Sequence, residues 1–216
     1  MQNTTLNRLK LAFLLFIAFV PITLATVAYR NAVENGGFGA TVNKGNLIMP
    51  PADITDLAMT DATGAPMFKS FEEIIAEIEN DDDYIPQPWL MVFMTANACD
   101  SDCEERIHLL RQMHITLNED MPRVRRYYLN ATGENLPPTT ADFFREEYPE
   151  MGIAQGNKQA ITENLAAKNI LLDLDNNNYV FFVDPVGNVM MYYEPRHPIQ
   201  DIKTDLEKLL GLSSLG

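Results

Sequence analysis

The chain is short of cysteine and of basic residues, and each shortage excludes something. Two of its 216 residues are cysteine, so neither a four-cysteine zinc site nor a disulfide-dense scaffold can be built. Lys and Arg total 16 against 30 Asp and Glu, a net charge of −14. A protein that tracks phosphates needs a basic surface, so no nucleic-acid partner is expected. No internal repeat and no low-complexity tract occurs. Apolar residues at 46% and charged residues at 21% describe an ordinary globular protein. The length suits one domain with an appendage.

The appendage is N-terminal. Leu11 to Ala28, LAFLLFIAFVPITLATVA, holds eighteen residues without a charge, and a run of about 18 or more can span a bilayer as a helix. A cleaved signal peptide is the alternative; its apolar core is about 7–15 residues long. No clean A-x-A site closes the run, and Pro21 lies inside it, which favours an anchor. Arg8 and Lys10 precede the run with no acid beside them, so the tail is expected in the cytoplasm and the rest exported. No Arg- and Ser-rich amphipathic leader points to a mitochondrion. The expected placement is a bacterial inner membrane, single-pass, with the C-terminal domain in the periplasm. The expected division is a cytoplasmic tail over 1–10, a transmembrane anchor over 11–29, a Gly- and Asn-rich linker over 30–50, and a folded domain over 51–216.

Strand and helix alternate in the folded part. Asp53 to Phe68 fits a small hairpin around Asp61–Gly64. Phe71 to Ile78 has helical spacing, and Asp81–Asp83 reads as a solvated turn. Trp89 to Met94 and Tyr179 to Val183 are continuous apolar runs, as in strands buried on both faces. Cys103 to Asp120 is helical, with Ile107, Leu110, His114, Leu117 and Met121 on one face. Val124 to Asn130 returns as a strand. A helix capped by Thr140 follows, then a weaker helix over Asn157 to Lys168. Val189 to Tyr193 closes a hairpin across Asp184–Asn188, and Ile199 to Leu210 is the last helix. The pattern is α/β with a mixed sheet.

Cys99-Asp100-Ser101-Asp102-Cys103 is the sharpest chemical feature. It follows a buried strand and opens a helix, the edge where open α/β sheets build sites. A helix N-terminus stabilises a thiolate, which is both nucleophile and metal ligand. Asp100, Asp102, Glu104 and Glu105 oppose a second negative charge and favour an incoming cation. A redox pair, a metal-binding pair and a structural staple all stay open. Two thiolates suit soft Cu(I), which gains from a third ligand. His108 lies roughly 140° around a helix from Cys103 and points elsewhere. His114 sits on the apolar stripe. His197, between the last strand and last helix, is the candidate third ligand. Met91, Met94, Met190 and Met191 read as core.

WLMVFMTANACDSDCEERIHLLRQMHITL followed by YVFFVDPVGNVMMYY resembles the Sco/SenC group of membrane-anchored thioredoxin-like proteins. NKGNLIMPP and CDSDCEERIHLLRQMHITLNEDMPRVRRYYL resemble more closely the small Sco-like proteins encoded among proteobacterial cytochrome c oxidase assembly genes. The resemblance implies a thioredoxin-like mixed sheet flanked by helices and a part in oxidase maturation. It implies copper on Cys99 and Cys103, and it puts that family's third ligand, a histidine, at Asn176.

The expected function is therefore a membrane-anchored assembly factor for cytochrome c oxidase. Its CxxxC pair would handle Cu(I), or exchange thiols with an oxidase subunit or another assembly factor. Two alternatives stand beside it: a metal-independent thiol–disulfide oxidoreductase, and a non-catalytic interaction protein with a structural disulfide.

Overall fold

A computed structural model describes residues 2–34, 42–80 and 87–213. The expected turn at Asp81–Asp83 lies outside the described residues. The chain divides into two compact units, residues 1–42 and 43–216.

The first unit is one helix, α1 (Gln2–Glu34). Its stretch Arg8–Asn31 is 24 residues of apolar character. At 1.5 Å per residue that is about 36 Å, enough for a hydrocarbon core of about 30 Å. Pro21 removes one backbone donor inside the helix. The Thr23 hydroxyl donates to the carbonyls of Phe19 and Val20 at 3.1 and 2.9 Å, so this polar side chain is satisfied within the apolar helix.

The second unit is a seven-stranded mixed sheet between helices. In chain order its elements are β1 (Asn46–Asp53), β2 (Thr60–Asp61), α2 (Phe71–Asn80), β3 (Trp89–Thr95), α3 (Ser101–Ile115), β4 (Val124–Asn130), α4 (Pro138–Glu147), β5 (Gly152–Gln155), α5 (Lys158–Ala166), β6 (Tyr179–Val183), β7 (Asn188–Tyr193) and α6 (Ile199–Leu212). The strand order is β1-β7-β6-β3-β4-β5-β2. Central β3 pairs parallel with β4 and antiparallel with β6.

Period-two alternation explains why β3 is buried on both faces. Trp89, Met91 and Phe93 join the core under α3 and α6, with Ile107, Leu110, Ile202 and Leu206. Leu90, Val92 and Met94 join the opposite core, with Ile161 and Leu165 of α5. Each fully buried side chain of this size contributes about 1.5–3 kcal/mol.

Three local readings need correction, and a fourth holds. Asn46–Pro50, assigned from sequence to the linker, begins edge strand β1 and pairs with β7. The expected hairpin around Asp61–Gly64 is present: Thr60 bridges Pro66 antiparallel, the Asp61 N–H donates to the Ala65 carbonyl at 2.8 Å, and the Met67 N–H donates to the Met59 carbonyl at 2.9 Å. Its first arm also pairs with β5 through β2. Strand β5 itself was not expected; it is four residues long and forms because β4 and β2 pair with it. Helix α4 starts at Pro138 rather than beyond a Thr140 cap, since proline's fixed φ suits the first helical position.

Candidate functional site

The CxxxC segment crosses from the C-terminal end of β3 into α3. Asp100 is extended (φ −94°, ψ −174°) and its carboxylate accepts the N–H of Cys103, at 3.0 Å. This cap sets Cys103 in the first helical turn and leaves Cys99 just outside the helix. The two sulfurs are joined in a disulfide with a Cα–Cα distance of 5.2 Å, inside the range such bonds use. Cys103 is 3% exposed, and Cys99 is half-buried at the margin of the core. Cys99 is therefore the sulfur an incoming group can reach.

Charge around the pair has one sign. Asp100, Asp102, Glu104 and Glu105 are all exposed. The positive end of α3 favours a thiolate at Cys103 when the bond is reduced, and the acids work against it.

His197 sits where β7 hands over to α6. Its carbonyl accepts from Arg106 Nη2 at 2.8 Å, so its loop is tied to α3 one turn beyond Cys103. Its Nδ1 accepts the Glu194 N–H at 2.9 Å, and its ring meets Tyr193 edge-on at 5.7 Å. Burial lowers the pKa of Arg106. Among the described residues, no three His, Cys, Asp or Glu side chains are grouped to hold a metal ion. The structure thus brings the His197 loop to the cysteine helix but does not assemble a three-ligand set. The two sulfurs suit a soft cation once reduced; a third donor would have to move in.

The other histidines take no part. His108 is exposed and bonded to Gln112 at 2.7 Å. His114 is buried, with Nε2 against the carbonyls of Val124 and Met121 at 2.8 and 3.0 Å. Met91, Met94 and Met191 are core residues.

Sequence reasoning missed the neighbours of the pair on β4. The parallel register sets Phe93 beside Tyr128 and Thr95 beside Asn130, so the end of β4 arrives next to the CxxxC turn. Tyr128 and Asn130, with Glu134, Leu136 and Pro137, line a cleft of about 170 Å³ beside Cys99. A signal existed: a strand paired parallel with β3 must end at the same sheet edge.

The family described as transmembrane-like, thioredoxin-like, C-terminal domain matches residues 89–213. Among curated proteins none matches. Among solved structures, BsSco, described as a Sco-family cytochrome c oxidase assembly protein with a disulfide switch, is similar at 16% identity. The match covers 80% of this chain and 99% of that one, with a TM-score of 0.50. Yeast Sco1 is similar at 10% identity over 79% of this chain and 98% of that one, TM-score 0.50. Yeast Sco1 with copper bound matches at 10% identity over 79% and 96%, TM-score 0.49. The fold is the thioredoxin-like fold that Sco proteins use.

Proposed function

We propose, for a chain that belongs to the transmembrane-like, thioredoxin-like C-terminal domain family, a role as a membrane-anchored assembly factor for cytochrome c oxidase. It works through Cys99 and Cys103 as a redox-switchable pair. The observation that carries this reading is the disulfide itself. Both cysteines of the chain close one bond at the strand-to-helix edge, with Cys99 accessible and Cys103 buried.

Residues 11–29 anchor the protein, residues 1–10 stay in the cytoplasm, and the thioredoxin-like domain works in the periplasm. An oxidising compartment suits a pair that cycles through a disulfide. Reduced, the pair presents two thiolates to Cu(I) as cargo, or to a disulfide on an oxidase subunit or another assembly factor. Oxidised, it holds no thiolate and releases metal. Oxidase assembly enters the reading from the sequence resemblance and from the shared fold with BsSco.

A Cu(I) competition titration of the full chain, reduced and oxidised, tests the copper arm. One-to-one binding by the reduced form, lost on oxidation, supports copper handling, and weakening by His197→Ala assigns the third ligand. A reduced chain that neither binds Cu(I) nor reduces a peptide disulfide would end the reading. It would leave the pair a staple.

A further inference from the structure

The cleft beside Cys99 measures about 170 Å³. Sites for drug-sized ligands and cofactors run from about 300 Å³ upward, so this one has room for a side chain or two of a polypeptide. It is open at Cys99, lined by Tyr128 and Asn130 from the end of β4, and bounded by Glu134, Leu136 and Pro137.

Tyr128 is the anomalous member. It is 1% exposed, with its ring against Phe93 and Phe144. Its hydroxyl makes no hydrogen bond among the described residues, and burial pushes its pKa up to about 12. Asn130 contrasts with it. The Asn130 amide donates to the Glu134 carbonyl at 2.8 Å, and its oxygen accepts the Thr132 N–H at 3.3 Å. The hydroxyl oxygen is not closed off from the cleft that Tyr128 lines, so an acceptor entering the cleft can take its hydrogen bond.

The rim supplies the second observation. Glu134 in the cleft and Asp100, Asp102, Glu104 and Glu105 beside the sulfurs are exposed, and none forms an ion pair among the described residues. No Lys, Arg or His lines the cleft.

We propose that this cleft seats an extended, basic, cysteine-bearing segment of a partner protein. A carbonyl of the segment accepts from the Tyr128 hydroxyl, and its Lys or Arg side chains face the acidic rim. The proposal rests on the thiol-exchange reading above. The Cys99 thiolate of the reduced pair attacks one sulfur of the partner's disulfide, and that S–S bond breaks. The electron pair leaves on the partner's second sulfur, which takes a proton from solvent. Cys103, giving up its proton, then displaces the partner's sulfur from Cys99 and closes the Cys99–Cys103 bond. The partner leaves reduced by two electrons, and the pair is left oxidised.

The test uses the full chain in detergent with Cys103→Ser, so that Cys99 is the sole thiol. Two cysteine peptides, one flanked by lysines and one by glutamates, are activated as thionitrobenzoate disulfides. Attack by the Cys99 thiolate releases the coloured thiol. Each rate is divided by that for neutral dithiodipyridine, which reports intrinsic reactivity. At low salt the lysine peptide should lead the glutamate peptide by at least about tenfold, and Glu134→Gln should narrow the gap. Tyr128→Phe should lower the normalised lysine-peptide rate about fivefold, the worth of one neutral hydrogen bond. It should do so without lowering the melting temperature, because the lost hydroxyl had no partner. Equal normalised rates for the two peptides, or no effect of Tyr128→Phe, overturns the cleft and leaves thiol exchange standing. Failure of Cys99 to react with any of the three disulfides overturns the exchange reading as well.

Discussion

The side-chain amide of Asn97, two residues before Cys99, donates to the carbonyl of Asp175 at 2.9 Å and to that of Leu174 at 3.3 Å. The bond ties the loop before β6 to the cysteine turn. That loop carries Asn176, whose amide is held by the Asp173 carboxylate at 2.9 Å. The Sco resemblance puts that family's third copper ligand, a histidine, at this position of the chain, where Asn176 stands.

Asn176→His should then strengthen Cu(I) binding by the reduced chain. An added direct ligand should exceed the roughly 10–100-fold that outer-shell partners of a metal are worth. Competition against a Cu(I) chelator reads the change. Unchanged affinity would show that the loop does not reach the sulfurs.

Reduction of the disulfide should leave the domain folded. The bond closes a loop of only four residues' separation, for which chain entropy gives about 2 kcal/mol. At roughly 2–4 °C per kcal/mol for a domain of this size, the melting temperature should fall by about 4–8 °C. Loss of cooperative melting on reduction would assign the pair a structural role.

Asp205 should matter more to stability than either cysteine. Its carboxylate is 1% exposed. It accepts the N–H groups of Lys44 and Gly45 at 2.7 and 2.8 Å and the Tyr193 hydroxyl at 3.1 Å. Asp205→Ala strands three donors at about 1–3 kcal/mol for each one left unsatisfied. Chemical unfolding should show a loss of about 3 kcal/mol or more, and hydrogen exchange should show residues 44–47 released first.

His114 should make the domain acid-sensitive. Burial lowers its pKa, helped by nearby Arg126 and opposed by the Val124 and Met121 carbonyls and by Glu150. The folded state thus prefers the neutral ring, while the unfolded chain takes up a proton below about pH 6.5. Where the unfolded state binds more protons, stability falls as pH falls. Its contribution is complete above pH ~6.5 and declines below it. Melting between pH 7.5 and 5.5 should show this decline, and His114→Gln should flatten it.

The buried strands were the legible part of the fold. WLMVFM and YVFFV are too apolar to be anything but interior, and the Asp-Pro-x-Gly turn fixes the hairpin that follows. The CxxxC turn was legible because both cysteines fall at one strand-to-helix edge. Strand β5 was not, since Gly152–Gln155 has no apolar alternation of its own and exists through its neighbours. Asn46–Pro50 was hidden differently: its apolar Leu-Ile-Met run is short and is followed by prolines, and it is strand because β7 offers an edge and the core takes Ile48. Tyr128 and Asn130 escaped for a related reason. Their place beside Cys99 depends on the register of β3 against β4, a non-local fact that no window of sequence contains.

Complementation with the cysteine pair removed tests the central claim most directly. In a host lacking the chromosomal copy, the wild-type chain and the Cys99→Ser, Cys103→Ser double variant are expressed to equal levels in the membrane. Oxidase activity and oxidase copper content are then measured. The account predicts that the wild type restores both and the folded double variant restores neither. Full restoration by the double variant would contradict it and leave the thioredoxin-like domain to act through its surface alone.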